Sequence, residues 1–90
     1  MPPEESTYPR DWLAIAERDL GRVARCLRDK DPEAARFFLQ QALEKFQKAF
    51  LLSKGWRPRR IHDLEALLDA AVEHDPDLER FRLVCQRVTG

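Results

Sequence analysis

The chain has 90 residues, of which 43% are hydrophobic, and its 16 lysine and arginine residues balance 16 aspartate and glutamate residues. This length fits one domain with a modest core, and the hydrophobic fraction excludes a disordered chain. The zero net charge excludes nucleic-acid binding by bulk positive charge, so such binding needs a local basic patch. Because no run of 18 apolar residues occurs, we expect a soluble cytoplasmic protein. We expect a tail over residues 1–9 and a single domain over residues 10–90.

The first predicted helix runs from about Arg10 to Asp29. Its apolar residues recur at the i, i+3, i+4, i+7 spacing of one helix face. They are Leu13, Ala16, Leu20, Val23, Ala24 and Leu27. Asp31 and Pro32 follow as an N-cap and a first-turn proline, which indicates that a second helix begins there.

The second predicted helix runs from Pro32 to about Lys54, and Gly55 provides a left-handed stop. Most of its apolar residues share an arc of about 140°, which is wider than a coiled-coil seam and is typical of the central helix of a bundle. The members of this arc are Phe38, Leu39, Ala42, Leu43, Phe46, Ala49 and Phe50. Phe37, Leu51 and Leu52 fall outside the arc. They contact another chain or are the scattered exposed apolar residues of any monomer.

A loop that contains Pro58 precedes two shorter predicted helices. The third helix begins near His62 or Asp63 and ends near His74, and the fourth runs from Pro76 to about Val88. No strand-like alternation occurs. The pattern predicts an all-α fold, an antiparallel up-and-down four-helix bundle.

Several kinds of site are excluded because no glycine-rich phosphate loop, HExxH, CxxC pair or GxSxG occurs. We therefore expect neither a metal nor a cofactor. Cys26 and Cys85 are interpreted as reduced thiols packed as small apolar residues, and a disulfide between them remains the alternative. Acidic and basic residues on the helices, such as Glu44 and Lys48, are interpreted as solvated i, i+4 pairs.

The segment from Lys54 to His62 contains the densest cluster of cations in the chain. The cations Lys54, Arg57, Arg59 and Arg60 lie beside Trp56 and just before His62, at the start of the third helix. Guanidinium groups bind phosphate in a bidentate manner, and a helix N-terminus favours anions. In metal-independent RNA cleavage His62 would transfer a proton, and Arg57 would offset charge on phosphorus.

The same segment has an interpretation without function. In it, His62 caps the third helix, the arginines are solvated, and Trp56 closes the end of the bundle. Alternatively, Trp56 joins Phe37, Leu51 and Leu52 as a candidate contact with another chain. The sequence leaves these alternatives open.

Three segments of the sequence form a combined pattern. The first helix contains WLAIAERDL from Trp12, and the second contains ARFFLQQALEKFQKA from Ala35. The sequence then continues through Lys54-Gly55 to Ile61-His62-Asp63-Leu64. Together these segments resemble the HEPN family (higher eukaryotes and prokaryotes nucleotide-binding), whose pattern is QQAxEKxxKA…G…HDL. The resemblance covers residues 10–88.

The resemblance implies a helical bundle that commonly forms a homodimer and pairs with a minimal nucleotidyltransferase, often as a toxin–antitoxin couple. It also implies that Arg57 and His62 match the Arg-x(4–6)-His pair of the ribonuclease members, which meets at a dimer cleft. In those members a polar residue usually follows the arginine, whereas Pro58 follows Arg57 here. Family chains of this subtype usually continue into a further helix, so we expect one bundle face to be uncovered and available for oligomerisation.

These observations favour a binding module over an enzyme. We expect a homo-oligomer that engages a nucleotidyltransferase, a nucleotide or RNA through the segment from Lys54 to His62. The alternative is a metal-independent endoribonuclease toxin that uses Arg57 and His62. A scaffold without any ligand is the third possibility.

Overall fold

The computed structural model of the protein describes residues 6–56 and 62–89. Their elements are α1 (Pro9–Arg28), α2 (Pro32–Ser53), α3 (Leu64–His74), a 3₁₀ turn (Pro76–Phe81) and α4 (Arg82–Thr89). Both described ranges contain helices and no strand, which confirms the all-α prediction. The predicted fourth helix is wrong in its first six residues, which form the 3₁₀ turn. Such tighter turns are frequent at the start of an α-helix.

Short polar residues and one glycine set the ends of the helices. The Asp31 carboxylate accepts a hydrogen bond from the backbone N–H of Ala34, and Pro32 occupies the first helical position, as predicted. Gly55 has a φ of 82°, a left-handed conformation that a side chain would disfavour. Asp63 and Asp75 cap the segments that follow them.

Helix α2 is the central element, as its wide apolar arc predicts. It packs against α1, α3 and α4. One core cluster joins α3 to α4 and contains Leu64, Leu68, Cys85 and Val88. A second joins α2 to α3 and contains Leu51, Leu67 and Ala71. Leu51 was a candidate interface residue, and this prediction is wrong because α2 is covered on more than one side and the Leu51 side chain is fully buried.

The other candidate interface residues differ in exposure. Phe37 is exposed and lies against the ring of Phe38. Leu52 is half-buried. Trp56 is also half-buried and packs on the cluster around Leu51, at the end of α2. Of the four predicted interface residues, Phe37 thus offers the most exposed apolar surface.

Helix α1 buries a different side from the one that its apolar spacing predicts. Trp12, Ala16 and Asp19 are its buried residues. Three leucines of the predicted face are instead exposed: Leu13 at 41%, Leu20 at 46% and Leu27 at 60%. The physical reason is the indole of Trp12, which buries more apolar area than a leucine and donates its Nε1–H to the Ser6 carbonyl at 3.1 Å. The three leucines therefore remain partly exposed to solvent.

Both cysteines are free thiols, in agreement with the interpretation as packed apolar residues. Cys85 is buried in the core, and its Sγ lies 3.5 Å from Nε2 of Gln47. Burial raises the pKa of the Cys85 thiol, which makes it less reactive. Among the helices in the described ranges, none is long and apolar enough to cross a membrane.

Candidate functional site

The carboxylate of Glu44, in the middle of α2, lies at the centre of a group of charged side chains. Its Oε2 accepts hydrogen bonds from Lys45 Nζ at 3.1 Å and from Lys48 Nζ at 3.2 Å. His62 Nδ1 lies 3.0 Å from the same oxygen. Three nitrogens therefore surround one carboxylate oxygen, and two lysine side chains share a single carboxylate. This gives a neutral protein a local excess of positive charge.

The inner part of this cluster is desolvated. The side chain of Lys48 is 1% exposed and that of Glu44 is 4% exposed. Lys48 Nζ also lies 5.0 Å from the ring centroid of Trp12, so α1 contributes a cation–π contact to the charge pair. A buried charge is tolerated in a small core only when it is paired in this way. The interpretation of Glu44 and Lys48 as a solvated pair is therefore wrong.

The environment of Glu44 favours its ionised form. Burial by itself raises the pKa of Glu44, but the hydrogen bond with His62 and the charges of Lys45 and Lys48 outweigh that effect. The pKa of Glu44 consequently lies below its ordinary value of 4.5. The carboxylate remains an anion and a hydrogen-bond acceptor at neutral pH.

This lowered pKa predicts a loss of stability in acid. The unfolded chain takes up a proton on Glu44 near the ordinary value of 4.5, before the folded protein does. The stabilisation is thus present above that pH and is lost as the pH falls through the pKa of the folded state. We expect the free energy of unfolding to fall less steeply from about pH 6 to about pH 3 in Glu44→Gln than in the wild type. Urea denaturation across this range measures both profiles, and parallel profiles would contradict the prediction.

His62 lies on the surface edge of the cluster. Its side chain is 60% exposed, although Nδ1 is held by the buried Glu44. A carboxylate can only accept a hydrogen bond, so Nδ1 is the donor of this pair. Nε2 is then the nitrogen left to accept or donate a proton, and no described residue bonds to it. The contact thereby fixes the orientation of an imidazole that remains accessible to a ligand.

His62 does not cap α3. Asp63 does so, because its carboxylate accepts from the backbone N–H groups of Glu65 and Ala66 at 3.0 and 3.3 Å. The predicted contribution of this helix N-terminus to anion binding is correspondingly reduced, since an acidic side chain already occupies those donors. An anion beside His62 would depend on side-chain cations instead.

The remaining predicted site residues fall in two groups. Lys54 is exposed at the C-terminal end of α2, with its Nζ 5.5 Å from the ring centroid of Phe50. Arg57, Arg59 and Arg60 lie outside the described residues. The pairing of Arg57 with His62 thus stays a prediction from spacing.

Comparison with known proteins adds one finding. The family model described as HEPN domain matches residues 9–90. The chain belongs to the HEPN family. No curated protein and no solved structure is significantly similar to it.

Membership of the HEPN family agrees with the helical bundle seen here and fits a nucleotide- or RNA-related module. The match extends through the central helix and His62 to the end of α4. The fold and the family predicted from the sequence are both confirmed. The predicted site residues, in contrast, are placed by the structure only in part.

Sequence reasoning missed the buried half of the site in this HEPN domain. Glu44, Lys48 and Trp12 were not candidate site residues. A signal existed, because Glu44 and Lys48 lie in the stretch from Ala35 that is similar to the family pattern QQAxEKxxKA. The periodicity of α2 alone gave no sign that they are buried, since both lie outside its predicted apolar arc. Within residues 6–56 and 62–89, no group of three or more His, Cys, Asp or Glu side chains is arranged to hold a metal ion.

Proposed function

We propose that this HEPN domain is a binding module that holds a phosphate of a nucleotide or of RNA beside His62. The main support for this proposal is that the buried carboxylate of Glu44 fixes the exposed imidazole of His62 beside two lysines. His62 and Lys45 are the described groups nearest to solvent in the cluster, because their side chains are 60% and 14% exposed. Further cations would come from the segment that precedes His62 in sequence, which contains Lys54, Arg57, Arg59 and Arg60.

The proposed biological setting is a toxin–antitoxin-like system in which the domain self-associates and partners a minimal nucleotidyltransferase. The resemblance to the small prokaryotic subtype supports this partner, and HEPN domains often dimerise. A module of zero net charge gains little from bulk attraction to nucleic acid, which favours recognition through one local site. Copurification of the domain with a co-expressed minimal nucleotidyltransferase tests the partner directly.

Binding of a fluorescently labelled single-stranded RNA, measured by anisotropy at two salt concentrations, tests the phosphate site. Loss of a hydrogen bond to a charged group costs about 1.5–3 kcal/mol, so His62→Ala is expected to weaken binding about tenfold to a hundredfold. His74→Ala is the matched control, because His74 is also exposed but packs edge-on against Phe50 at the far end of α3. Equal affinities of the wild type and His62→Ala would exclude the proposed site.

A second candidate is a metal-independent endoribonuclease, and the Glu44–His62 contact favours it. A carboxylate that holds an imidazole by Nδ1 orients the ring and leaves Nε2 free to act as a general base, one arrangement that supports proton-transfer catalysis. Nε2 would take the proton of a ribose 2′-hydroxyl, whose oxygen would attack phosphorus and form a 2′,3′-cyclic phosphate. The bond from phosphorus to the 5′-oxygen would break, and that oxygen would take its proton from water or from the imidazolium that the first step creates. Arg57 would offset the negative charge that develops on phosphorus.

Incubation with RNA in EDTA separates the enzyme from the binding module. The binding module leaves the RNA intact. Cleavage by the wild type that disappears in both His62→Ala and Arg57→Ala, but persists in His74→Ala, would establish the enzyme. Binding without cleavage would support the module and exclude the alternative.

A further inference from the structure

An apolar cavity of about 410 Å³ lies between α2, α3 and the 3₁₀ turn that follows α3. Three leucines and three phenylalanines form most of its wall. The phenylalanines are Phe46 and Phe50 of α2 and Phe81 of the 3₁₀ turn. Binding sites for small molecules have volumes of about 300–1,000 Å³ and mostly apolar walls, and one common place for them is between the helices of a bundle. The size, lining and position of this cavity therefore fit a small molecule.

Among the described residues that line the cavity, only Gln47 has a polar side chain. Its Nε2 donates a hydrogen bond to Sγ of Cys85 at 3.5 Å. Its Oε1 is buried, and no described residue donates a hydrogen bond to it. Buried acceptors in folded proteins nearly always have a donor, because an unpaired one destabilises the protein. A ligand in the cavity that carries one N–H or O–H group can supply this missing donor.

The wall of the cavity also selects the rest of the ligand. Aromatic rings attract one another in edge-to-face and offset-stacked arrangements, and three phenyl rings line this space. The ring of Phe50 is already held edge-on by His74, with the ring centroids 6.3 Å apart. No described residue of the wall carries a charge, so a charged ligand would lose its hydration without compensation. The wall thus favours a neutral aromatic ring system.

We propose that this cavity binds a small neutral aromatic molecule whose single N–H or O–H group donates a hydrogen bond to Oε1 of Gln47. Glu44, Lys48 and His62 are not among the described residues that line the cavity, so the site is separate from the phosphate site. The inference goes beyond the proposed function and does not depend on it. Because the ligand binds the folded chain, it is also expected to raise the stability of the domain.

Titration of the ¹⁵N-labelled full chain with indole and with benzofuran, followed by NMR, tests the hydrogen bond. Both probes have the same fused-ring shape, but only indole has an N–H donor. One neutral hydrogen bond corresponds to about a threefold to tenfold change in affinity. We expect the ratio of the indole affinity to the benzofuran affinity to fall by about this factor in Gln47→Met, which keeps an unbranched side chain without the amide. An unchanged ratio would overturn the proposed hydrogen bond, and a wild-type chain that does not bind indole at millimolar concentration would overturn the site.

Nuclear Overhauser contacts in the wild type locate the probe without any variant. Indole protons are expected to contact the rings of Phe46 and Phe81, and contacts with the exposed ring of Phe37 instead would overturn the cavity as the site. Ala71→Leu places a larger side chain in the wall and is expected to weaken binding of both probes about tenfold or more, because the leucine occupies the space of the ligand. Ala24→Leu is the matched control at an exposed position of α1 and leaves binding unchanged. RNA binding at His62 is measured separately, so a negative result here leaves the proposed function in place.

Discussion

Replacement of Glu44 by alanine is expected to lower the free energy of unfolding by about 3–5 kcal/mol, the usual cost of removing one partner from a buried ion pair. The loss arises because Lys48, at 1% exposure, is left in the core without the carboxylate that pairs with it. The contact with Trp12 remains but replaces only part of that stabilisation. Chemical denaturation at neutral pH measures the effect.

Two comparisons make the Glu44→Ala result specific to the buried charge. Glu79→Ala removes an exposed carboxylate that bonds Arg82 at 2.8 and 2.9 Å, and we expect a much smaller change. The double variant Glu44→Leu/Lys48→Met replaces both charges by apolar side chains and is expected to recover most of the lost stability. A single variant as stable as the wild type would show that Lys48 reaches water without its partner.

Replacement of Trp12 by alanine is the second change with a large expected effect, a loss of about 3–5 kcal/mol of unfolding free energy. Trp12 is the largest fully buried side chain, and it supplies three interactions at once. It fills the space between α1 and α2, donates a hydrogen bond to Ser6, and lies beneath Lys48. Its removal therefore leaves a cavity and weakens the charge cluster together.

Trp12→Phe separates the packing of the ring from its hydrogen bond. The phenyl ring keeps most of the apolar contact and a weaker cation–π contact, so we expect a loss clearly smaller than for alanine. Thermal denaturation of both variants, followed by circular dichroism, gives the comparison. Equal losses for phenylalanine and alanine would indicate that the Ser6 hydrogen bond, and not the buried ring, stabilises this end of the bundle.

The sequence was sufficient to predict the helices and their order, because local signals determine both. Asp31 followed by Pro32 predicted where α2 begins, and Gly55 predicted where it ends. The wide apolar arc predicted that α2 is central. These signals act over a few residues and do not depend on which neighbour the helix meets.

The orientation of the helices and the interior of the site could not be read in the same way. The spacing of Leu13, Leu20 and Leu27 was correct for a helix, but the burial of Trp12 decided which side of α1 faces α2. Likewise, the sequence does not distinguish Glu44 from the other charged residues of the helices. Only the tertiary fold places His62, 18 positions later, in contact with it. Such contacts depend on tertiary packing, which periodicity does not encode.

Imidazole ¹⁵N NMR tests most directly whether Glu44 holds His62 in a position where Nε2 can contact a phosphate group. The chain contains two histidines, so His74 serves as an internal reference in the same sample. On titration with single-stranded RNA, the His62 nitrogen signals are expected to shift and saturate while those of His74 stay in place. Glu44→Gln, if folded, is expected to reduce that response. RNA binding that leaves the His62 signals unchanged, or no binding at all, would contradict the account.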